Sequence, residues 1–131
     1  MNIFHWPVRV YYEDTDAGGV VFYANYLRFF ERARTEMLRS QGFEQDQLIN
    51  EQQLIFVVRS VQVDYLKPAR FNDSLDVSAE IVSAKKVSFD FEQLITRNKE
   101  LLCKGKVRIA CLDTITMKPK KISETIIQKL I

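Results

Sequence analysis

One histidine and two cysteines in 131 residues leave few side chains for the commoner hydrolytic and metal chemistries. The histidine, His5, lies in the N-terminal arm. A Ser-His-Asp or Cys-His system would need that arm folded into the site. Two separated cysteines and one distant histidine are too few for a zinc cluster, so no metal site is expected. Cys103 and Cys111 fall on one predicted strand about 26 Å apart at roughly 3.3 Å per residue, far beyond disulfide reach. Reduced thiols and a cytoplasmic setting follow. No segment approaches the roughly 18 to 20 apolar residues of a membrane helix. The opening Met1-Asn2-Ile3-Phe4-His5-Trp6-Pro7 lacks the charged start, apolar run and cleavage site of a signal peptide. Charge of one sign is also missing: 19 basic against 17 acidic residues give a net +2, so neither nucleic acid nor an anionic membrane is demanded as a partner. The positives are scattered and no aromatic RNA-binding strand signature is present. A glycine-rich phosphate loop of the Walker or dinucleotide type is absent as well.

What is present is ordinary in amount, with 47% hydrophobic and 27% charged residues. The length fits one domain, 1–131, with a single core. Pro7-Val8-Arg9-Val10-Tyr11-Tyr12-Glu13 alternates and is rich in β-formers, which predicts a first strand. A helix is predicted from Ala24 to Gln41, with Tyr26, Leu27, Phe30, Ala33, Met37 and Leu38 on a wide apolar stripe and Gly42 as its stop. A short second helix is expected around Asp46–Ile49. The period then changes to two, giving strands Ile55–Leu66, Ser74–Ser83, Val87–Ile95 and Leu101–Leu112, separated by turn signals at Pro68, Asn72-Asp73, Lys85-Lys86 and Arg97–Glu100. Ser123 is placed to cap a final helix, Glu124–Leu130. One long amphipathic helix against one large antiparallel sheet is an α+β domain.

The chemistry concentrates in Asp14-Thr15-Asp16-Ala17-Gly18-Gly19-Val20-Val21-Phe22-Tyr23, which runs into the long helix. Its glycines free the backbone for unusual angles. A helix start presents unpartnered N–H groups and partial positive charge. An acid held just ahead of it can act on a carbonyl whose oxygen those N–H groups polarise. From spacing alone, turn stabilisation and helix capping account for Asp14 and Asp16 equally well.

The string Tyr12-Glu13-Asp14-Thr15-Asp16-Ala17-Gly18-Gly19-Val20-Val21, with Asn25-Tyr26 and Glu31-Arg32-Ala33-Arg34 behind it, resembles the hot-dog-fold thioesterases. The likeness is to the 4-hydroxybenzoyl-CoA thioesterase family, and within it to the Tol–Pal-associated, YbgC-type acyl-CoA thioesterases. Val63-Asp64-Tyr65-Leu66-Lys67-Pro68-Ala69-Arg70-Phe71-Asn72-Asp73 is similar to that family's next signature. The resemblance covers nearly the whole chain and implies a hot-dog fold, one long central helix wrapped by a five-stranded antiparallel sheet.

It further implies that Asp16 is the catalytic carboxylate and that the oxyanion contact is a backbone N–H at or beside Tyr23. Many relatives have a histidine at that position, and this chain departs from them. The implied activity is hydrolysis of acyl-CoA to free acid and coenzyme A, with Asp16 as general base or nucleophile. Coenzyme A enters as part of the substrate, and no cofactor is expected. Gly18, Gly19, Val21, Phe22 and Asn25 are the substrate-binding candidates around the turn, with capping the first expectation for Asn25. Lys85 and Lys86 are candidates for the phosphates of coenzyme A. Asp14 is expected to be structural, and the side chain of Tyr23 to pack. A homodimer, or a homotetramer made of two, is implied, with acyl carrier protein as a further candidate partner. Glu31 and Glu36 are the alternative acids. The rival reading is a non-catalytic acyl-thioester or acyl-carrier-protein binding module using the same groove.

Overall fold

The computed structural model describes residues 3–131; the first two residues of the opening stretch weighed as a leader peptide lie outside it. Five strands form one antiparallel sheet, β1 (Phe4–Arg9), β2 (Leu54–Tyr65), β3 (Ser74–Ala84), β4 (Ser88–Arg97) and β5 (Glu100–Asp113), in the order β1-β3-β4-β5-β2. Three α-helices accompany it: α1 (Asn25–Ser40), α2 (Gln45–Gln52) and α3 (Glu124–Leu130). α1 is packed on the sheet, and Phe29, Phe30, Ala33 and Met37 from the helix meet Val77, Ala79, Phe91 and Ile95 from the strands in one core. This is the α+β hot-dog arrangement expected from the sequence.

The first strand lies earlier than the alternation predicts, at Phe4–Arg9 instead of Pro7–Glu13. Asp14 is the reason. Its Oδ2 accepts the Tyr11 N–H at 2.8 Å and closes a single 3-10 turn over Tyr12–Asp14, so those residues turn away from the ladder. Pro7 then falls mid-strand, which an edge strand tolerates because one row of its N–H groups has no ladder partner.

α1 begins and ends one residue inside the predicted bounds. Its C-terminus closes with Gly42 N–H to Arg39 O at 3.0 Å and Phe43 N–H to Leu38 O at 2.9 Å, Gly42 taking φ +89°. The buried face carries Phe29 and leaves Leu27 exposed, which rotates the stripe slightly from the predicted one. The sheet approaches the helix closely at Gly105 on β5. A Cβ there would stand 2.8 Å from the Phe30 ring. Two residues, Asn98 and Lys99, both at positive φ, join β4 to β5 in a tight hairpin.

One polar link crosses the core. Gln93 on β4 is fully buried, and its amide donates to Phe30 O at 3.0 Å and Ser78 O at 3.1 Å. Its Oε1 accepts from Arg34 Nη1 at 2.9 Å. Helix and sheet are thus pinned together by a satisfied network, the condition under which buried polar groups stabilise rather than cost.

Candidate active site

The loop between β1 and α1 splits into an inner and an outer half. Asp14 is buried: besides Oδ2 holding Tyr11 N–H, its carbonyl accepts from Phe22 N at 2.9 Å and Asn25 Nδ2 at 3.0 Å. The structural role expected for Asp14 is what these bonds provide. Asn25 does not cap the helix as expected. It is the first helical residue, and its side chain reaches back to the loop instead, tying the helix start to the turn.

Asp16 is exposed at the outer half. Its Oδ1 accepts from Gly18 N–H at 2.8 Å, and its carbonyl accepts from Gly19 N–H at 3.0 Å. No donor among the described residues is bonded to Oδ2. The two glycines serve different needs. Gly19 takes φ +77°, while a Cβ on Gly18 would press to 3.2 Å from Asp16 Oδ1. The carboxylate is therefore oriented by its own turn, with one oxygen left outward.

The second signature stretch forms the bed beneath this loop. Val21 N–H donates to Ala69 O at 2.8 Å, Val20 bridges Arg70, and Ala69 N–H donates to Tyr26 Oη at 2.9 Å. Asp73 fixes that bed by accepting from Arg70 N at 2.8 Å and Arg97 Nη1 at 2.6 Å. Two stretches far apart in the chain are held together by direct hydrogen bonds.

At the mouth of α1 the N–H groups of Tyr23 and Ala24 have no acceptor among the described residues, whereas Asn25 N–H is spent on Phe22 O at 2.8 Å. Tyr23 is 64% exposed, and its ring packs against neighbouring rings at the surface. It stands edge-on to Tyr65 at 6.4 Å between centroids, and the Tyr65 hydroxyl donates to Tyr23 O at 3.1 Å. Val21, Tyr23, Tyr26, Tyr65, Leu66 and Pro68 line a groove of about 260 Å³ here. Phe22 is exposed beside Tyr23, with ring centroids 4.7 Å apart.

A second groove runs along the seam between α1 and β2, starting one helical residue on from Tyr26. Leu27, Phe30, Arg34, Val58, Val61 and Val107 line its middle, and Leu38, Phe56, Phe89 and Ile109 its far end, where Glu31, Arg34, Thr35 and Gln45 are the polar lining. Sequence reading missed this seam, because β2 reads as an ordinary alternating strand. Only its length and its valines mark it, and its edge position comes from the sheet order.

Lys85 and Lys86 are not brought to the turn within this chain. They sit past the far end of β3, whose 11 residues span about 36 Å at roughly 3.3 Å each. Lys86 O instead accepts from Ile122 N at 2.9 Å, which places this pair beside Lys121. Glu31 and Glu36 are held on the helix surface: Glu31 Oε1 accepts from Thr35, and Glu36 pairs with Arg39. Cys103 and Cys111 are buried, and burial pushes their thiols up to about 12 and about 11, which suits inert core positions. His5 lies in β1, bonded to Asp76 at 2.8 Å. Among the described residues no three His, Cys, Asp or Glu side chains stand together as metal ligands, and no helix is long and apolar enough to cross a membrane.

The sequence and the fold both have known kin. The thioesterase superfamily model matches residues 18–104. The chain belongs to the thioesterase superfamily. Acyl-CoA thioesterase YbgC of Haemophilus influenzae is 52% identical over 118 residues, covering 90% of this chain and 87% of that protein. Acyl-CoA thioester hydrolase YbgC of Escherichia coli is 47% identical over 127 residues, covering 96% and 94%. The crystal structure of a probable thioesterase from Bartonella henselae superposes with a TM-score of 0.89 at 34% identity, covering 93% of this chain and all of that one. The superfamily match begins at Gly18, so it takes in the helix, the signature around Pro68 and the lysine turn.

Proposed function

We propose that this member of the superfamily hydrolyses acyl-CoA thioesters to free acid and coenzyme A at the mouth of α1. The observation that carries the reading is that one loop holds both an exposed Asp16 with an unbonded carboxylate oxygen and the unclaimed N–H groups of Tyr23 and Ala24. The thioester oxygen sits against those N–H groups, and negative charge developing on it is stabilised by donors already in place. Asp16 then removes a proton from water as hydroxide adds to the carbonyl carbon. Alternatively, Asp16 adds directly to give a mixed anhydride that water opens. In either route the carbon–sulfur bond breaks, the thiolate of coenzyme A leaves and takes up a proton, and water is the only co-reactant. Gly18, Gly19, Val21, Phe22 and Asn25 shape and hold the turn that presents the carboxylate. The names of the Haemophilus and Escherichia relatives support the substrate class.

The site is proposed to be completed by a second copy. β2 is an edge strand of 12 residues that leaves Val58, Val61 and Tyr65 exposed. Antiparallel pairing of two such edges about a two-fold axis sets the Leu54 end of one copy beside the Tyr65 end of the other. Lys85 and Lys86 of the second copy then come toward the Asp16 turn, where the phosphates of coenzyme A need cations. Further pairing into a tetramer, and acyl carrier protein as an alternative donor of the acyl group, belong to the same proposal.

Thiol release from acyl-CoAs of graded length, wild type beside Asp16→Asn, tests it. The expected result is turnover by the wild type and a loss on the order of a hundredfold or more in kcat for the variant. Release by neither protein from any acyl-CoA or acyl-carrier substrate would overturn the reading in favour of a binding module.

A further inference from the structure

The far half of the α1–β2 seam contains a group that hydrolysis of a plain acyl chain does not use. Arg34 is 9% exposed, yet it lines both the middle and the far end of the groove. The one acceptor bonded to it among the described residues is the neutral Gln93 Oε1. The nearest acid on its own helix, Glu31, lies beyond ion-pair distance and is bonded to Thr35. Around it stand Phe30, Val58, Phe89 and Phe91, with Glu31, Thr35 and Gln45 as the polar part of the same lining. Burial lowers its pKa to about 10, with Glu31 acting in the opposite direction. A guanidinium carries five N–H donors in a planar fork suited to a carboxylate. Gln93 takes only Nη1, so the other donors of the fork have no protein acceptor among the described residues and are open to an anion entering the cavity.

The position of Arg34 defines what that anion belongs to. Tyr23 and Arg34 are separated by about 16 Å along the helix at roughly 1.5 Å per residue, and an α-helical side chain leans back toward the N-terminus. An acyl group whose carbonyl lies at Tyr23 and whose chain follows Leu27 and Val61 therefore meets the guanidinium after about 10 to 16 Å. With C–C bonds of about 1.5 Å in a zigzag, this is a chain of about eight to twelve carbons. We propose that Arg34 binds a carboxylate at the distal end of the acyl group, making ω-carboxyacyl thioesters of about that length preferred over their methyl-terminated equals. The inference rests on the thioesterase reading and adds to it a class of acyl group. The hydrolytic step is unchanged: a bound water cleaves the thioester, and the distal carboxylate is neither formed nor consumed.

The test is a matched pair of substrates, decanoyl-CoA and its ω-carboxy counterpart, with kcat/KM measured on the wild type, Arg34→Met and Arg34→Lys. The wild type is expected to favour the ω-carboxy substrate by tenfold or more. Arg34→Met should lower that ratio at least tenfold, and Arg34→Lys should keep part of it. Should Arg34→Met fail to fold, the wild-type ratio still decides. So does competition by free decanedioate and decanoate against butanoyl-CoA hydrolysis, in which the diacid is expected to inhibit at the lower concentration. A wild-type ratio at or below one overturns the inference while leaving the thioesterase intact. An Arg34→Met variant that loses both substrates alike, or loses self-association with the ratio unchanged, overturns it too. Release from neither substrate, nor from any other acyl-CoA, removes the thioesterase reading and this inference with it.

Discussion

The inner and outer halves of the β1–α1 loop place two aspartates two residues apart in opposite circumstances. Asp14 is buried, and its carboxylate and carbonyl together accept three hydrogen bonds that tie Tyr11, Phe22 and Asn25 to one point. Asp16 is exposed and bonded only within its own turn. The same side chain is thus structural where it is enclosed by the backbone and available where the turn leaves an oxygen outward. Residue type does not separate the two roles, and neither does the carboxylate's partner count, one bond each; burial does.

Exchanging the two neutralisations breaks or sharpens the contrast. Asp16→Asn should cost on the order of a hundredfold in kcat while leaving thermal unfolding within a degree or two, as a substitution at an exposed site does. Asp14→Asn should do the reverse. Loss of a charged acceptor for the Tyr11 N–H is expected to lower stability by about 1 to 3 kcal/mol in a denaturation experiment, with most activity kept in the folded fraction. If instead Asp14→Asn abolished turnover at undiminished stability, the division of labour within the loop would be wrong. A smaller effect is expected at the glycines. Gly19→Ala should cost about 1 kcal/mol of stability because of the positive φ. Gly18→Ala should lower kcat a few-fold at nearly constant stability by crowding Asp16. The least change is expected at the cysteines. With both thiols held above their ordinary range they stay protonated at pH 8, so native protein should resist a thiol reagent that labels the denatured chain fully.

Most of the fold was legible because it rests on periodicities the sequence carries openly. β2 through β5 and α3 lie where alternation, turn residues and the Ser123 cap put them, within one or two residues. Legibility failed where a side chain redirects the backbone. Asp14 turns Tyr11–Asp14 out of the first strand, and alternation in Val8–Tyr12 gives no warning of that. Asn25 looks like a cap by position and is a tether by geometry, because its partner Asp14 lies 11 residues back. Arg34 and Gln93 are 59 residues apart, and nothing local to either reveals the pairing. The Asp16 turn was readable as a motif, whereas the unclaimed N–H groups of Tyr23 and Ala24 emerge only from tracing where every neighbouring donor goes. Lys85 and Lys86 were legible as a turn, but their distance from Asp16 is a property of the sheet.

Gly105 has a reach beyond its own strand. It lies on β5 against one edge of the Phe30 ring, and Phe30 is also part of the lining of the α1–β2 seam. The missing methyl at this one position lets the ring settle toward the sheet, and so bears on the shape of the cavity that Phe30 helps to line. A side chain here would act as a shim, displacing Phe30 and with it part of the wall of the seam. The shape of that cavity can therefore drift through a strand residue that contributes no side chain to it, which makes Gly105 a place to look when members of the superfamily with the same turn differ in their cavities.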